Sequence, residues 1–249
     1  MNKKNTFVHL RVRTSYSLLE GAISISGLVE ISSKLNYPAV GITDRGNLFG
    51  ALEASEAFAE KGIQPIIGCQ MDLMYDEATK NLKARPIVLL AKNQTGYQNL
   101  MKLSTIGYLE HEQSDPFIEF NDLELYGNGL ICLSGGAPGP LGQILLSPQN
   151  NSIDDIVNRF LAIFGDRFYL EIQRHEDTNE NSFEKFNLRR SSDLQIPIIA
   201  TNEVYYLNQD MHEAHDALIC IGNKTYVNEK NRLKFSDQHY LKNNAEMLE

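Results

Sequence analysis

The feature that most constrains this chain is the regular alternation of short apolar runs with segments of helical period. Ser24-Ile-Ser26 reads as a helix start, and Leu28, Val29, Ile31 and Leu35 then recur on one helical face until Asn36-Tyr37-Pro38 stops the run. Ala39–Thr43 is a short strand, Leu48–Lys61 the next helix with Gly62 as its C-cap, and Gln64–Leu73 a third strand. The pattern continues. Pro86–Ala91 is a strand, and Asn93 caps a helix to Tyr108. Leu130–Leu133 is a strand, Ile153–Phe164 a helix and Phe168–Ile172 a strand. Asn181–Leu194 is a helix, Ile196–Thr201 a strand and His212–Ile221 a helix. Such an order predicts an α/β domain with a mostly parallel sheet and crossover helices, as a barrel or an open doubly wound sheet. Glu110–Leu125 reads as an acidic, irregular surface excursion, and Asn223–Gln238 as an extended connector.

The 249 residues suit one large domain or one and a half smaller ones. With 23 basic against 32 acidic side chains and a formal charge of -9, the chain is not expected to be a main nucleic-acid grip. Cys69, Cys132 and Cys220 lack metal-ligand spacing and are expected as buried, reduced thiols of a cytoplasmic protein. Met1–Leu10 does not read as a secretory signal, and no run approaches membrane-spanning length. Asn244–Glu249 reads as a helix just beginning, so the chain is expected to be a piece of a longer protein.

If the sheet closes into a barrel, site residues sit on loops at the carboxyl ends of its strands. Arg13–Glu20, Asp44–Asn47, Cys69–Gln70, Ser134–Gly139 and Asn202–Tyr205 are all expected to leave strands there and to meet in one cleft. In the opening stretch FVHLRVRTSYSLLEG, a strand over Val8–Arg13 places His9, Arg11 and Arg13 on one side. Composition favours the solvent-facing side of an edge strand. The alternative is a site, with Ser15, Ser17 and Glu20 next in the chain.

This stretch resembles the opening motif of the PHP (polymerase and histidinol phosphatase) domain, in the form found at the N-terminus of the bacterial replicative DNA polymerase III alpha subunit. The resemblance implies a distorted (β/α)7 barrel over 1–222, with 223–249 as a connector and the start of the next region. It also implies where metal ligands would stand. Arg11 and Arg13 occupy histidine positions, and Glu20 an aspartate position. Thr43–Gly50 resembles the family's Thr-Asp-His-Gly-Asn-Leu-Phe-Gly, with Asp44 kept and Arg45 in place of the histidine. Gln70 stands for a ligand glutamate, Pro86 for a histidine and Gly136 for a cysteine or histidine. After Ala200-Thr-Asn202, Glu203 and Tyr205 stand for aspartate and histidine. No histidine remains at these ligand positions, and two carboxylates stand as the longer homologue, Glu20 and Glu203.

Arginine stays protonated and offers no lone pair, so no catalytic metal cluster is expected. Arg11, Arg13 and Arg45 are expected instead to pair with Glu20, Asp44 and Glu203 as a salt-bridged plug. His175, and His212 with His215 one helical turn apart, are weighed as replacement ligands, with packing roles favoured. Ser134–Gly142 lacks a P-loop lysine and reads as a turn. The resemblance implies a parent that copies DNA in replication, with Mg2+ in its polymerase region and DNA and deoxynucleotides bound there. The segment itself would be a cofactor-free interaction module, packed on the rest of the polymerase chain and able to dock the proofreading exonuclease subunit, with no membrane partner. The rivals are a metal-dependent phosphoesterase or proofreading nuclease, and a phosphate-binding module that uses the arginines without chemistry.

Overall fold

The computed structural model describes residues 6–75, 84–110, 115–146, 153–176 and 179–248. In chain order, β1 (Arg11–Val12), α1 (Ile25–Lys34), β2 (Ala39–Ile42), α2 (Ala51–Glu60) and β3 (Gln64–Met74) come first. Next are β4 (Arg85–Ala91), α3 (Gln94–Leu109), β5 (Ile118–Glu119), α4 (Phe120–Tyr126), β6 (Leu130–Leu133), α5 (Pro140–Leu146), α6 (Ile153–Phe164) and β7 (Phe168–Ile172). Finally come α7 (Glu180–Leu194), β8 (Ile198–Ala200), β9 (Glu203–Val204) and α8 (His212–Gly222). The helix starts at Ser24 and Asn93 are set as expected, because each side chain accepts the orphan N–H three residues on, from Gly27 and Gly96.

The chain forms two compact units. The first comprises 1–44, 49–67 and 202–249. Its strands are all parallel: β1 lies between β2 and β9, and β2 pairs with Gln64–Ile67 of β3. Val12, Val40 and Ile42 join Leu28, Phe58 and Val204 in its core. The edge-strand expectation for the opening stretch is therefore corrected. Strand pairing is confined to Arg11–Val12, which is flanked on both sides, and His9, Arg11 and Arg13 are buried. Composition misplaced them because a charge can be buried when it is paired.

The second unit comprises 45–48 and 68–201. Its sheet is mixed, with β4 antiparallel to both β3 and β6, and β6, β7 and β8 parallel in that order. β3 and β4 run antiparallel because the link between them is too short for a crossover helix. Phe120, Phe160 and Phe168 anchor the core, with Phe160 stacked on Phe168 at 4.7 Å.

Two further expectations change here. Cys69 and Gln70 lie inside β3 rather than in a loop leaving it. Residues 111–114 of Glu110–Leu125 lie outside the described residues, but Ile118–Glu119 pairs with β3 and Phe120–Tyr126 is a helix. Two of its acidic residues cap that helix: the Glu119 N–H donates to Asp122 in a capping box, while Phe120 and Leu123 are buried.

Candidate functional site

In the first unit, strand register builds the candidate site. Arg11 lies directly opposite Glu203 across the parallel β1–β9 pair. The Arg11 guanidinium donates to Glu203 Oε1 at 2.7 Å, and Arg13, two residues on and on the same face, donates to the same oxygen at 2.7 Å. Arg13 also donates to Glu20, so two guanidinium groups and two carboxylates form one charge-balanced cluster. The Arg11, Arg13 and Glu203 side chains are 1%, 6% and 9% exposed. Burial works against the Arg13 charge, but Tyr205, Glu203 and Glu20 outweigh it and hold its pKa above the ordinary arginine value. Tyr205 lies under the Arg13 guanidinium at 4.8 Å from ring centroid to Cζ, and burial raises its phenol well above the ordinary tyrosine range.

The Ser17–Gly21 turn delivers Glu20 to this cluster. Gly21 is required there, because a Cβ would stand 2.1 Å from the Thr14 carbonyl oxygen. Asp44 is held by the turn that follows β1. Its carboxylate accepts the Thr14 N–H at 2.7 Å, the Thr14 hydroxyl at 2.8 Å and the Ser17 hydroxyl at 2.6 Å. Burial raises its pKa, and the bonds from Ser17 and Thr14 and the Arg13 charge oppose that rise.

His9 is fully buried, and burial lowers its pKa to about 4. Its Nε2 lies 2.8 Å from the Lys242 carbonyl, an acceptor, so the neutral ring carries its proton on Nε2. His215 likewise spends Nε2 on a carbonyl, that of Glu20, and His212 on that of Phe235. Both therefore act in packing, and His175 bonds Glu180 through its backbone N–H and through Nδ1.

In the second unit, Arg45 forms a bridge with Gln70, whose carbonyl accepts the Gly46 N–H. The Arg45 guanidinium bonds Asp72 at 2.7 Å, a carboxylate that sequence reasoning did not single out. Pro86 sits opposite Asp72 in the β3–β4 ladder. Gly136 adopts φ +68°, and a Cβ there would stand 2.1 Å from Gln173 Oε1, so the Gln173 side chain fills the space. Sequence reasoning also missed Glu171. This fully buried carboxylate accepts the Gly135 N–H at 2.8 Å and the Thr201 hydroxyl at 2.6 Å. A lone acid inside the apolar run Phe168–Ile172 was the available signal.

As a donor set, the arginines at 11, 13 and 45 supply no lone pair, and Glu203 already faces two guanidinium groups. Among the described residues no group of three His, Cys, Asp or Glu side chains is placed to hold a metal ion. No helix among them is long and apolar enough to cross a membrane.

The class comes first from the fold. A protein of Bifidobacterium adolescentis assigned as a metal-dependent phosphoesterase superposes with a TM-score of 0.56 at 12% identity, over 80% of this chain and 88% of that one. An amidohydrolase from Chromobacterium violaceum, solved with sulfate and no metal, gives 0.52 at 11% identity over 80% and 87%. The fold is thus α/β, of the distorted barrel type expected. The PHP domain family matches residues 9–175, and the chain belongs to that family. DNA polymerase III subunit alpha of Caulobacter vibrioides is 37% identical over 245 residues, which is 97% of this chain and 21% of that protein. The same subunit of Rickettsia prowazekii is 40% identical over 97% of this chain and 20% of its own length. That of Borreliella burgdorferi is 35% identical over 100% and 22%. The chain spans about a fifth of the length of these curated relatives.

Proposed function

We propose that this segment is the non-hydrolytic N-terminal PHP module of a bacterial replicative DNA polymerase III alpha subunit. The parent would extend DNA by template-directed nucleotidyl transfer in the cytoplasm, using Mg2+ outside this segment. One observation carries the reading for the module: Glu203, at a position where the family holds metal with a carboxylate, is engaged by Arg11 and Arg13. The residues do not fit a two- or three-ion centre, because fixed cations stand where ligands would. The module then serves the parent by folding and by offering a surface to the rest of the polymerase chain and to the proofreading exonuclease subunit.

The decisive measurement is metal analysis of the purified protein together with phosphatase and nuclease assays. Sub-stoichiometric zinc, manganese and magnesium with no turnover is expected. One metal or more per chain with hydrolysis would overturn the reading in favour of an active phosphoesterase. The exonuclease contact is tested by gel filtration of the parent subunit with the exonuclease. Co-elution that persists when residues 6–248 are deleted would place the contact elsewhere. A phosphate-binding module is disfavoured by the burial of Arg11 and Arg13 and by their engagement with carboxylates.

A further inference from the structure

Residues 236–244 lie beyond the part of the chain that the PHP family matches, yet they are bound closely to the charge cluster of the first unit. Their contacts concentrate on four residues at and beside β9, Asn202, Glu203, Tyr205 and Tyr206. The Asn202 side chain donates to the Tyr240 carbonyl at 2.8 Å, and the His239 ring donates to the Glu203 carbonyl at 2.9 Å. The Tyr205 N–H donates to the His239 carbonyl at 2.9 Å, and the Leu241 N–H to that of Tyr206 at 3.1 Å, with a parallel bridge between Tyr206 and Tyr240. The far end is held by Lys242, whose carbonyl accepts the Tyr37 hydroxyl at 2.5 Å and His9 Nε2 at 2.8 Å.

β9 itself is only two residues long, and its named strand partner is β1. Its orientation therefore leans on the side-chain bonds that cross this pair, namely Arg11 to Glu203 and Arg13 to Glu203. Glu203 faces both ways: its carboxylate holds the arginines while its carbonyl holds His239. A second path runs through Tyr205, which carries Arg13 on its ring and packs on His239 at 5.3 Å.

We propose that residues 236–244 form a strap whose docking is coupled to the buried ion-pair cluster, so that loosening the cluster releases the strap and loosening the strap weakens the cluster. Any partner or ion that drew Glu203 or Arg13 out of its pairing would free residues 236–244 and re-aim the adjoining turn over 243–248. The device rests on these hydrogen bonds and not on the activity of the parent chain.

Amide hydrogen exchange of the 249-residue chain tests the coupling in both directions, since a true coupling is reciprocal. Arg11→Lys keeps the charge but gives up the planar fork. It is expected to speed exchange at Leu241 at least tenfold, while α2 in the same unit changes less than twofold. In reverse, His239→Ala is expected to speed exchange at Arg13, whose N–H donates to Val204, and at Ala22, whose N–H donates to Tyr205, again with α2 unmoved. Equal acceleration in α2 means general loosening and overturns the proposal. So does an unchanged Leu241 in the first variant, or unchanged Arg13 and Ala22 in the second. If one variant does not fold, the other decides alone.

Discussion

Glu203→Gln removes one negative charge and almost no volume, so it isolates the electrostatic part of the cluster. The side chain keeps an oxygen acceptor, but its new amide N–H groups face guanidinium donors. Arg11 and Arg13 each place a nitrogen 2.7 Å from Glu203 Oε1, and both are too buried for water to replace the lost charge. Removing one partner of a buried pair costs roughly 3–5 kcal/mol. Arg13 retains Glu20, which places the expected loss toward the lower end of that range. Against a total stability of about 5–15 kcal/mol, this is a substantial fraction. With a urea slope of about 3 kcal/mol/M, the midpoint falls by roughly 1 M or more at constant slope. The chain has no tryptophan, so far-UV circular dichroism and tyrosine fluorescence are the probes, and their agreement checks that the units unfold together. Adding Arg11→Met to Glu203→Gln is expected to recover about 1 kcal/mol or more through the coupling of the pair. A midpoint shift under about 0.3 M, or strict additivity in the double variant, would refute the view that these charges are mutually dependent.

Other outcomes rest on the same geometry. His9 is neutral when folded, with a pKa of about 4 against 6.5 unfolded, so the unfolded chain binds the extra proton between those values. Its contribution is complete above pH 6.5 and is lost as pH falls toward 4. That amounts to about 2 kcal/mol between pH 7 and pH 4.5, read from the change in urea midpoint at constant slope and diminished in His9→Gln. Gly136→Ala must adopt a left-handed backbone and displace Gln173, so thermal denaturation is expected to show a loss of about 2 kcal/mol or more. Arg45→Ala breaks a pair whose arginine side chain is 39% exposed, and its cost in urea unfolding is expected to stay under about 1 kcal/mol. Excess EDTA is expected to leave the melting temperature unchanged. A drop of several degrees would reveal a structural metal.

The sequence carried the periodic parts of this fold well. Leu130–Leu133, Ile153–Phe164 and Phe168–Ile172 have the bounds read from their apolar spacing, because burial on one or both faces leaves a strong pattern. It carried less where a residue's meaning depends on a distant partner. Arg11 reads as an edge-strand cation until Glu203, far along the chain, is placed opposite it. Glu119 and Asp122 read as solvated acids, although they cap a helix. The antiparallel β4 was legible in principle, since the link before Arg85 leaves no room for a crossover. Gln173 had no signal of its own, because its role depends on the space that Gly136 leaves empty.

The positions singled out in the sequence show three different physical answers to the problem of packing polar groups inside a fold. At Arg11 and Arg13 the answer is charge for charge, and the carboxylates of Glu20 and Glu203 keep a cation close by. At Asp44 a backbone N–H and two hydroxyls from the Thr14–Ser17 turn stabilise the carboxylate, and the Arg13 charge adds to them. At Gly136 the answer is steric, and Gln173 occupies the room a Cβ would require. Arg11→His with Arg13→His would strip Glu203 of its buried counter-charges. On the proposed reading this cluster supports folding, and the strap at 236–244 is fastened to it through the Glu203 carbonyl and the Tyr205 N–H.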